Sequence, residues 1–405
     1  MHYLHELAVA AIMKDESPYL QEWLDFHLWA GVSHFYLYDN GSTDGTREIL
    51  QPYIQQGCVT YKYRPAAGEQ LPVYREVLQR YRFLCRYIAF IDLDEFLYAP
   101  EGRSLPETLQ ELVRDFGEPG GFTANWCCYG SSGAREAELS RGVLERFAWR
   151  AADGFPNDRH IKSIVNPRCA AYFATPHAPV YFLGKYAIDE TGQRVEQWCN
   201  KRHPVSRLRI NHYGVKSYAE WVQRRSRRCA DTGGVVDRDI DAWFREFDRN
   251  DIQDQGILAY RQLRQDMPPK RDDQAAFVAQ LVAAIQACLQ EQQDVSVAEY
   301  LAYIQNAQLL FPAYLAEEEL VALLLSLLAQ LRQCLSREVL EPWTAQLCLD
   351  AAPLWLPVLP PVQREDWRRT LSQLATGLAS AANQAYDTSC YYWYDYLAQL
   401  FRTGA

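Results

Sequence analysis

The first ninety residues alternate between short, wholly apolar runs and stretches in which apolar residues recur at helical spacing. Leu7 to Met13 is a continuous apolar run of strand length, closed by Lys14-Asp15-Glu16. Ser17 then offers an N-cap and Pro18 suits the first helical position. Leu20, Trp23, Leu24, His27 and Leu28 follow on one helical face until Gly31. His27 lies on that apolar stripe, so the pattern predicts a packed histidine. His34 to Tyr38 reads as a second strand, followed by a helix carrying Ile49, Leu50, Tyr53 and Ile54. Val59 to Tyr63 reads as a third strand, Leu71 to Leu84 as a third helix and Tyr87 to Ile91 as a fourth strand. Apolar strands joined by amphipathic helices predict an α/β fold, with a mostly parallel sheet covered on both faces.

Three of these strands run directly into polar residues. The first meets Lys14-Asp15-Glu16, the second Asp39-Asn40-Gly41-Ser42-Thr43-Asp44, and the fourth Asp92-Leu93-Asp94-Glu95. The carboxyl edge of an open parallel sheet is where such folds bind ligands. Asp92 and Asp94 are two apart, so in an extended segment they project to one side and can share a hard divalent cation that keeps positions open for phosphate. Alone, that segment also reads as a solvated strand end. Three acidic ends on one edge point instead to a nucleotide, with a carboxylate or amide to read base and ribose and a metal to hold the diphosphate. No G-x-G-x-x-G follows a strand and no Walker loop is present.

The Lys-Asp-Glu of the first strand, the YDNGSTDGT loop from Tyr38 to Thr46 and the IDLDEF segment from Ile91 to Phe96 together resemble a GT-A glycosyltransferase of the family 2 superfamily. The arrangement from Ala11 to about Gly234 is closest to the family 92 type. Asn125-Trp126, the run His160 to Pro167, and Asn211 to Ser217 followed by Glu220-Trp221 extend the likeness. The resemblance implies a Rossmann-like GT-A domain, a nucleotide-sugar donor, a saccharide or glycolipid acceptor, and Mn²⁺ or Mg²⁺ as cofactor. It implies that Asp15, Asp39, Asn40 and Asp44 shape the donor site, with Asp39 at base or ribose. Asp92 would reach ribose or the metal, and Asp94 and His212 would ligate the ion. Lys162 and Lys216 are candidates for the diphosphate. The base that removes the acceptor proton is not identified by spacing; Asp158 and Asp231 are the candidates, and Glu95 suits a supporting role. Two departures stand out. Arg228-Cys229-Ala230-Asp231 lacks the family's glycine, and Asn166-Pro167-Arg168 replaces a basic residue before the proline.

Composition adds a division of the chain. Residues 271–405 hold 7 basic and 15 acidic side chains, which argues against nucleic-acid binding there. Against that acidic background, Lys201 to Arg228 carries nine basic residues and a single acid, Glu220. Of these, Arg224, Arg225, Arg227 and Arg228 read mainly as a solvated helix face, with an anionic acceptor or peripheral contact with a membrane surface as the other use. No glycine occurs between Gly256 and Gly377, and Ala, Leu, Gln and Glu favour helices there. The expected organisation is a GT-A-like domain over 1–250, a linker over 251–273 and an all-α region over 274–405, with Pro353, Pro357, Pro360 and Pro361 breaking the helices before Arg364. Eleven cysteines, an odd number without CxxC spacing, fit a reduced, cytoplasmic chain. Leu320 to Leu331 is the longest apolar candidate and reads as a core helix. The expected activity is an inverting, metal-dependent transfer of hexose from a UDP-sugar, as in cell-surface polysaccharide synthesis. The alternative is a non-catalytic scaffold that presents its helical region to a partner.

Overall fold

The computed structural model describes residues 2–226, 239–267, 269, 271–291, 295–337, 340–384 and 388–403. The expected alternation is present as β1 (His5–Met13), α1 (Ser17–Trp29), β2 (His34–Asp39), α2 (Thr46–Gln55), β3 (Val59–Tyr63), α3 (Gln70–Tyr81) and β4 (Cys85–Phe90). The α/β part continues with β5 (Glu95–Tyr98), α4 (Leu105–Phe116), β6 (Gly121–Cys128), α5 (Val143–Arg146), β7 (Trp149–Arg150) and β8 (Ile161–Val165). Short strands β9 (Ala170–Phe173), β10 (Pro179–Tyr181), β11 (Ala187–Ile188) and β12 (Arg194–Val195) lead to β13 (Arg209–His212), α6 (Tyr218–Arg225), α7 (Ile240–Phe247), β14 (Ile252–Gln253) and α8 (Gly256–Arg264). Helices α9 (Gln274–Glu291), α10 (Val297–Leu310), α11 (Glu317–Arg337), α12 (Pro342–Trp355), α13 (Pro361–Gln384) and α14 (Thr388–Thr403) follow.

Strands β3, β2, β1 and β4 are parallel neighbours in that order, and β8 is antiparallel between β4 and β6. β13 runs parallel to β6 and antiparallel to β5. Met13 lies beside Asp39, Asp39 beside Tyr63, and Phe90 beside Ala10. The polar residues that follow these strands therefore leave one edge of the sheet. β13 enters the sheet with His212 beside both Cys128 and Glu95, which delivers the late histidine to the same edge.

Packing explains two details of the first unit. Glu16 rather than Ser17 is the N-cap of α1, and the Ser17 N–H, at the first turn of the helix, donates to Asp44 from the next loop at 3.0 Å. His27 is fully buried; its Nδ1 donates to the Trp23 carbonyl at 2.8 Å and its Nε2 accepts the Leu97 N–H at 3.1 Å. Burial holds its pKa down at about 3, so the ring is neutral and its tautomer is set.

The helical region is joined to the sheet by one apolar core, in which Phe277, Leu301, Leu347 and Trp355 cluster with Ala10, Tyr36, Val77 and Phe90. Polar contacts pin the far end of α3. Gln305 donates to the Gln79 and Arg80 carbonyls at 2.6 and 2.8 Å, Asn306 to that of Phe83 at 3.3 Å, and buried Arg82 pairs with Asp350. The span 251–273 was expected to be linker but is built structure as far as Arg264. β14 pairs with β7, and Ile257 and Tyr260 of α8 lie in the core beneath the sheet. Pro353 does not break its helix; it sits inside α12, while Pro361 opens α13. α11 has 21 residues and a mean hydropathy of 1.3 in its most apolar window, long and apolar enough to cross a membrane. Here it lays Leu324, Leu327, Leu328 and Leu331 into the helical core, although only 22% of that window is buried. Among the cysteines whose side chains are described, none is joined in a disulfide.

Candidate active site

The loops after β1 and β2 are tied together by their own carboxylates. The Asp15 carboxylate accepts the Thr43 N–H at 2.7 Å, and the Asp15 N–H donates to the Ser42 hydroxyl at 2.9 Å. Buried Asp39 accepts the Ser42 N–H at 2.7 Å and the Tyr61 hydroxyl at 2.9 Å. Asn40 donates to the Arg64 and Ala66 carbonyls after β3, and Asp44 accepts from Ser17 and Thr46. Three strand ends are thus fixed in relation to one another, and the four residues expected around a donor shape one loop. Asp15 and Lys216 both hold left-handed backbone, with φ of 53° and 55°, which is uncommon away from glycine and concentrated at functional sites.

The acidic segment is a turn, not an extended strand end, with the Glu95 N–H donating to the Asp92 carbonyl at 3.1 Å. Asp92 and Asp94 therefore have separate partners. Asp92 Oδ2 accepts from the Lys162 ammonium at 2.8 Å, and Oδ1 from Gln70 at 3.1 Å and Tyr74 at 3.4 Å. Lys162 is buried on β8 and also stands 3.7 Å from Glu95. Burial opposes its charge, but the two carboxylates outweigh burial and raise its pKa. Glu95 is sealed off, accepts the Asp92 N–H at 2.9 Å, and is pushed well above the usual carboxylate range by burial.

Asp94 Oδ2 meets the His212 Nε2 at 3.4 Å and the Arg224 guanidinium. Burial would raise this carboxyl, yet Arg224 and His212 hold it well below its ordinary pKa. A Cβ on Gly214 would fall 2.9 Å from His212 Nε2 and 3.6 Å from Asp94 Oδ2, so the glycine keeps the space beside the pair clear. Lys216 is buried with its ammonium 4.1 Å from the Tyr19 ring centroid, and burial lowers its pKa. It lines a cavity of about 20 Å³, room for one water, together with Glu16, Tyr19, Gly214 and Arg224. The loop is braced by Glu220, which receives both ends of the Arg146 guanidinium at 2.9 Å and caps α6 through Ser217.

The expected metal triple of Asp92, Asp94 and His212 is not gathered: among the described residues no three His, Cys, Asp or Glu side chains stand close enough to hold one ion. The lysine on β8 takes Asp92 away. Arg224 was expected on a solvated face but sits on Asp94, and Arg225 lies between the Trp221 and Trp243 rings. Arg168 serves the opposite end of β4, donating to the Cys85 and Arg86 carbonyls. Asp158 is buried at the end of β6, where Oδ1 accepts the Cys128 N–H at 2.8 Å and Oδ2 has no partner; burial raises its pKa. Asp231, Arg227 and Arg228 lie outside the described residues.

Residues 7–249, more than half of the chain, match the sequence profile of glycosyltransferase family 92. The chain belongs to that family. A family 92 protein of Arabidopsis thaliana is 32% identical over 171 residues, which are 40% of this chain and 29% of that protein. Galactan beta-1,4-galactosyltransferase GALS2 of the same plant is 30% identical over 183 residues, 41% of this chain and 34% of its own length. The chain thus spans about a third of the length of these relatives. Staphylococcus aureus TarS 1-349 in complex with UDP aligns over 99% of this chain and 92% of its own, at 11% identity and a TM-score of 0.28, too loose a superposition to transfer a site. The family 92 match contains every site residue placed above and ends before α8; helices α9 to α14 lie beyond it.

Proposed function

We propose that this family 92 protein transfers a hexose, with inversion, from a UDP-sugar to a saccharide or glycolipid acceptor, aided by Mn²⁺ or Mg²⁺. UDP-galactose and a β-1,4-linked galacto-oligosaccharide are the first pair to test, because galactan galactosyltransferases are among the relatives. The observation that carries the reading is the convergence of Asp94 and His212 at the sheet edge that also bears the Asp39 loop. Asp94 Oδ2 and His212 Nε2 stand 3.4 Å apart, close enough that the two would hold one small divalent ion between them. Two protein ligands suit an ion that completes its shell with diphosphate and water.

When bound, such an ion supplies charge to the leaving diphosphate. The chain's part is to hold the donor and to accept the acceptor's proton. Asp39, Asn40, Asp15 and Asp44 fix the loop that would seat base and ribose. Lys216, buried beside Asp94 and Arg224, is placed to bind a phosphate oxygen, and the Arg224 guanidinium would add a second cation for the same anion. The acceptor oxygen attacks the anomeric carbon as the bond to the diphosphate breaks, the electron pair leaving with the nucleotide. Among the described residues Asp158 is the base candidate with a free oxygen, and its raised pKa suits proton acceptance.

A second reading is favoured by the cations already on both acids, Lys162 on Asp92 and Arg224 on Asp94. In it the diphosphate is held by these side chains without an ion. Thermal shift with UDP decides: stabilisation that requires Mn²⁺ and is lost in Asp94→Ala supports the first reading, and stabilisation indifferent to chelator supports the second.

A further inference from the structure

Four rings that the mechanism above leaves unused run out from His212 beside the acidic turn. His212 stacks on Trp126 at 4.0 Å between centroids, Trp126 on His160 at 4.8 Å, and Trp198 lies 4.9 Å beyond His160. His177 closes the group at 5.3 Å from Trp126 and 5.4 Å from His160. The series starts at the residue paired with Asp94 and ends on the surface, where Trp198 is 44% exposed on the loop after β12.

The hydrogen bonding of these rings specifies what they can recognise. His160 Nδ1 is 2.9 Å from the Asn157 carbonyl, and His177 Nδ1 is 2.9 Å from the Ile161 carbonyl. A carbonyl only accepts, so each Nδ1 carries the proton and each Nε2 of a neutral ring is left as an acceptor. Burial lowers the pKa of both imidazoles, that of His177 to about 3, which keeps them neutral. The Trp126 Nε1 donor is buried without a partner among the described residues. Two acceptors and one donor of hydrogen bonds on uncharged rings, beside a Lys162 whose charge is already met by Asp92, match a ligand that bears hydroxyls on both sides of a ring and no charge of its own.

We infer that Trp126, His160, His177 and Trp198 form the acceptor subsite, and that it takes a neutral saccharide whose outer sugar stacks on Trp198. The inference rests on the glycosyltransferase reading and adds the substrate class: an uncharged glycan rather than an acidic one. Its geometry also gives the direction of the chain, with the reacting end at His212 and the rest leading out past Trp198.

The test is saccharide binding by saturation-transfer NMR and calorimetry in the presence of UDP and Mn²⁺. The panel holds neutral oligomers of galactose, glucose, mannose and N-acetylglucosamine, with oligogalacturonate as the acidic arm. The expected result is binding of at least one neutral oligomer, weakened tenfold or more in Trp198→Ala and largely restored in Trp198→Phe, with the UDP thermal shift at its parent value. Equal binding by Trp198→Ala overturns the subsite, as does binding of the acidic oligomer alone. A parent protein that binds UDP but no neutral oligomer overturns the subsite and leaves the donor reading standing. A parent protein that binds neutral oligomers at Trp198 but no UDP overturns the donor reading and, with it, the acceptor role of the saccharide site.

Discussion

Asp94 and His212, 118 positions apart in the sequence, meet at 3.4 Å because residue 214 has no side chain to hold them apart. A methyl group there would lie 2.8 Å from His212 Cε1. Gly214→Ala is expected to swing the imidazole off Asp94 and to weaken Mn²⁺-dependent UDP stabilisation by a factor of roughly 10–100, the range found when a ligand's support is removed. Titration of Mn²⁺ into the UDP complex checks this; an unchanged midpoint would argue that His212 is not a ligand.

Lys162 stands between Asp92 and Glu95 with almost no exposure. Lys162→Met leaves one carboxylate half-buried and the other sealed without their shared cation. A loss of about 3–5 kcal/mol in urea unfolding is expected. Lys162→Arg keeps the charge but not the compact ammonium, and is expected to recover only part of that loss.

Glu220 is a probe of acid stability. Burial raises its pKa, but hydrogen bonds from Arg146, Ser217 and Tyr19 win and hold it at about 2, below the usual 4.5. A depressed carboxyl stabilises the fold above the unfolded value and loses that contribution as pH falls from about 4.5 towards 2. Glu220→Gln is expected to lower stability at pH 7 and to flatten its fall between pH 4.5 and 2. Unfolding curves across that window are the measurement.

His27 titrates with the same sign for a different reason. Its pKa of about 3, against 6.5 in the unfolded chain, means that protons bind the unfolded state first, so stability falls as pH drops below 6.5. His27→Phe removes this dependence but leaves the Leu97 N–H unsatisfied. The expected outcome is a protein about 1–3 kcal/mol less stable at pH 7 and less sensitive to pH between 6.5 and 3.

Much of the sheet could be read from apolar runs that stop at charged residues, since a strand buried on both faces has no room for polar side chains. The acidic edge and His212 were legible through the resemblance. What the sequence concealed was partnership across distance. Nothing near Lys162 signals that it reaches Asp92, and nothing in the pair Arg224-Arg225 signals that one serves Asp94 while the other lies between two tryptophans. The common orientation expected of Asp92 and Asp94 failed because the chain turns at Leu93. The linker beyond Asp251 was misplaced because α8 has only nine residues and leads straight into Met267-Pro268-Pro269, although Ile257 and Tyr260 anchor it.

Arg82 is buried against Asp350 of α12, an ion pair joining the two halves of the chain. Asp350→Ala would strand a guanidinium with 1% of its surface in solvent, and a loss of about 3 kcal/mol is expected in urea unfolding. A loss below 1 kcal/mol would show that the pair is solvated.

The same helix that receives this contact, α3, has Gln70 and Tyr74 on Asp92 at one end and Gln305 and Asn306 clasping its other end. It behaves as a rod fixed at both tips. α10, through Gln305 and Asn306, and the acidic turn, through Asp92, thus hold the same helix from opposite ends, which makes α3 the footing that the helical half shares with the candidate site.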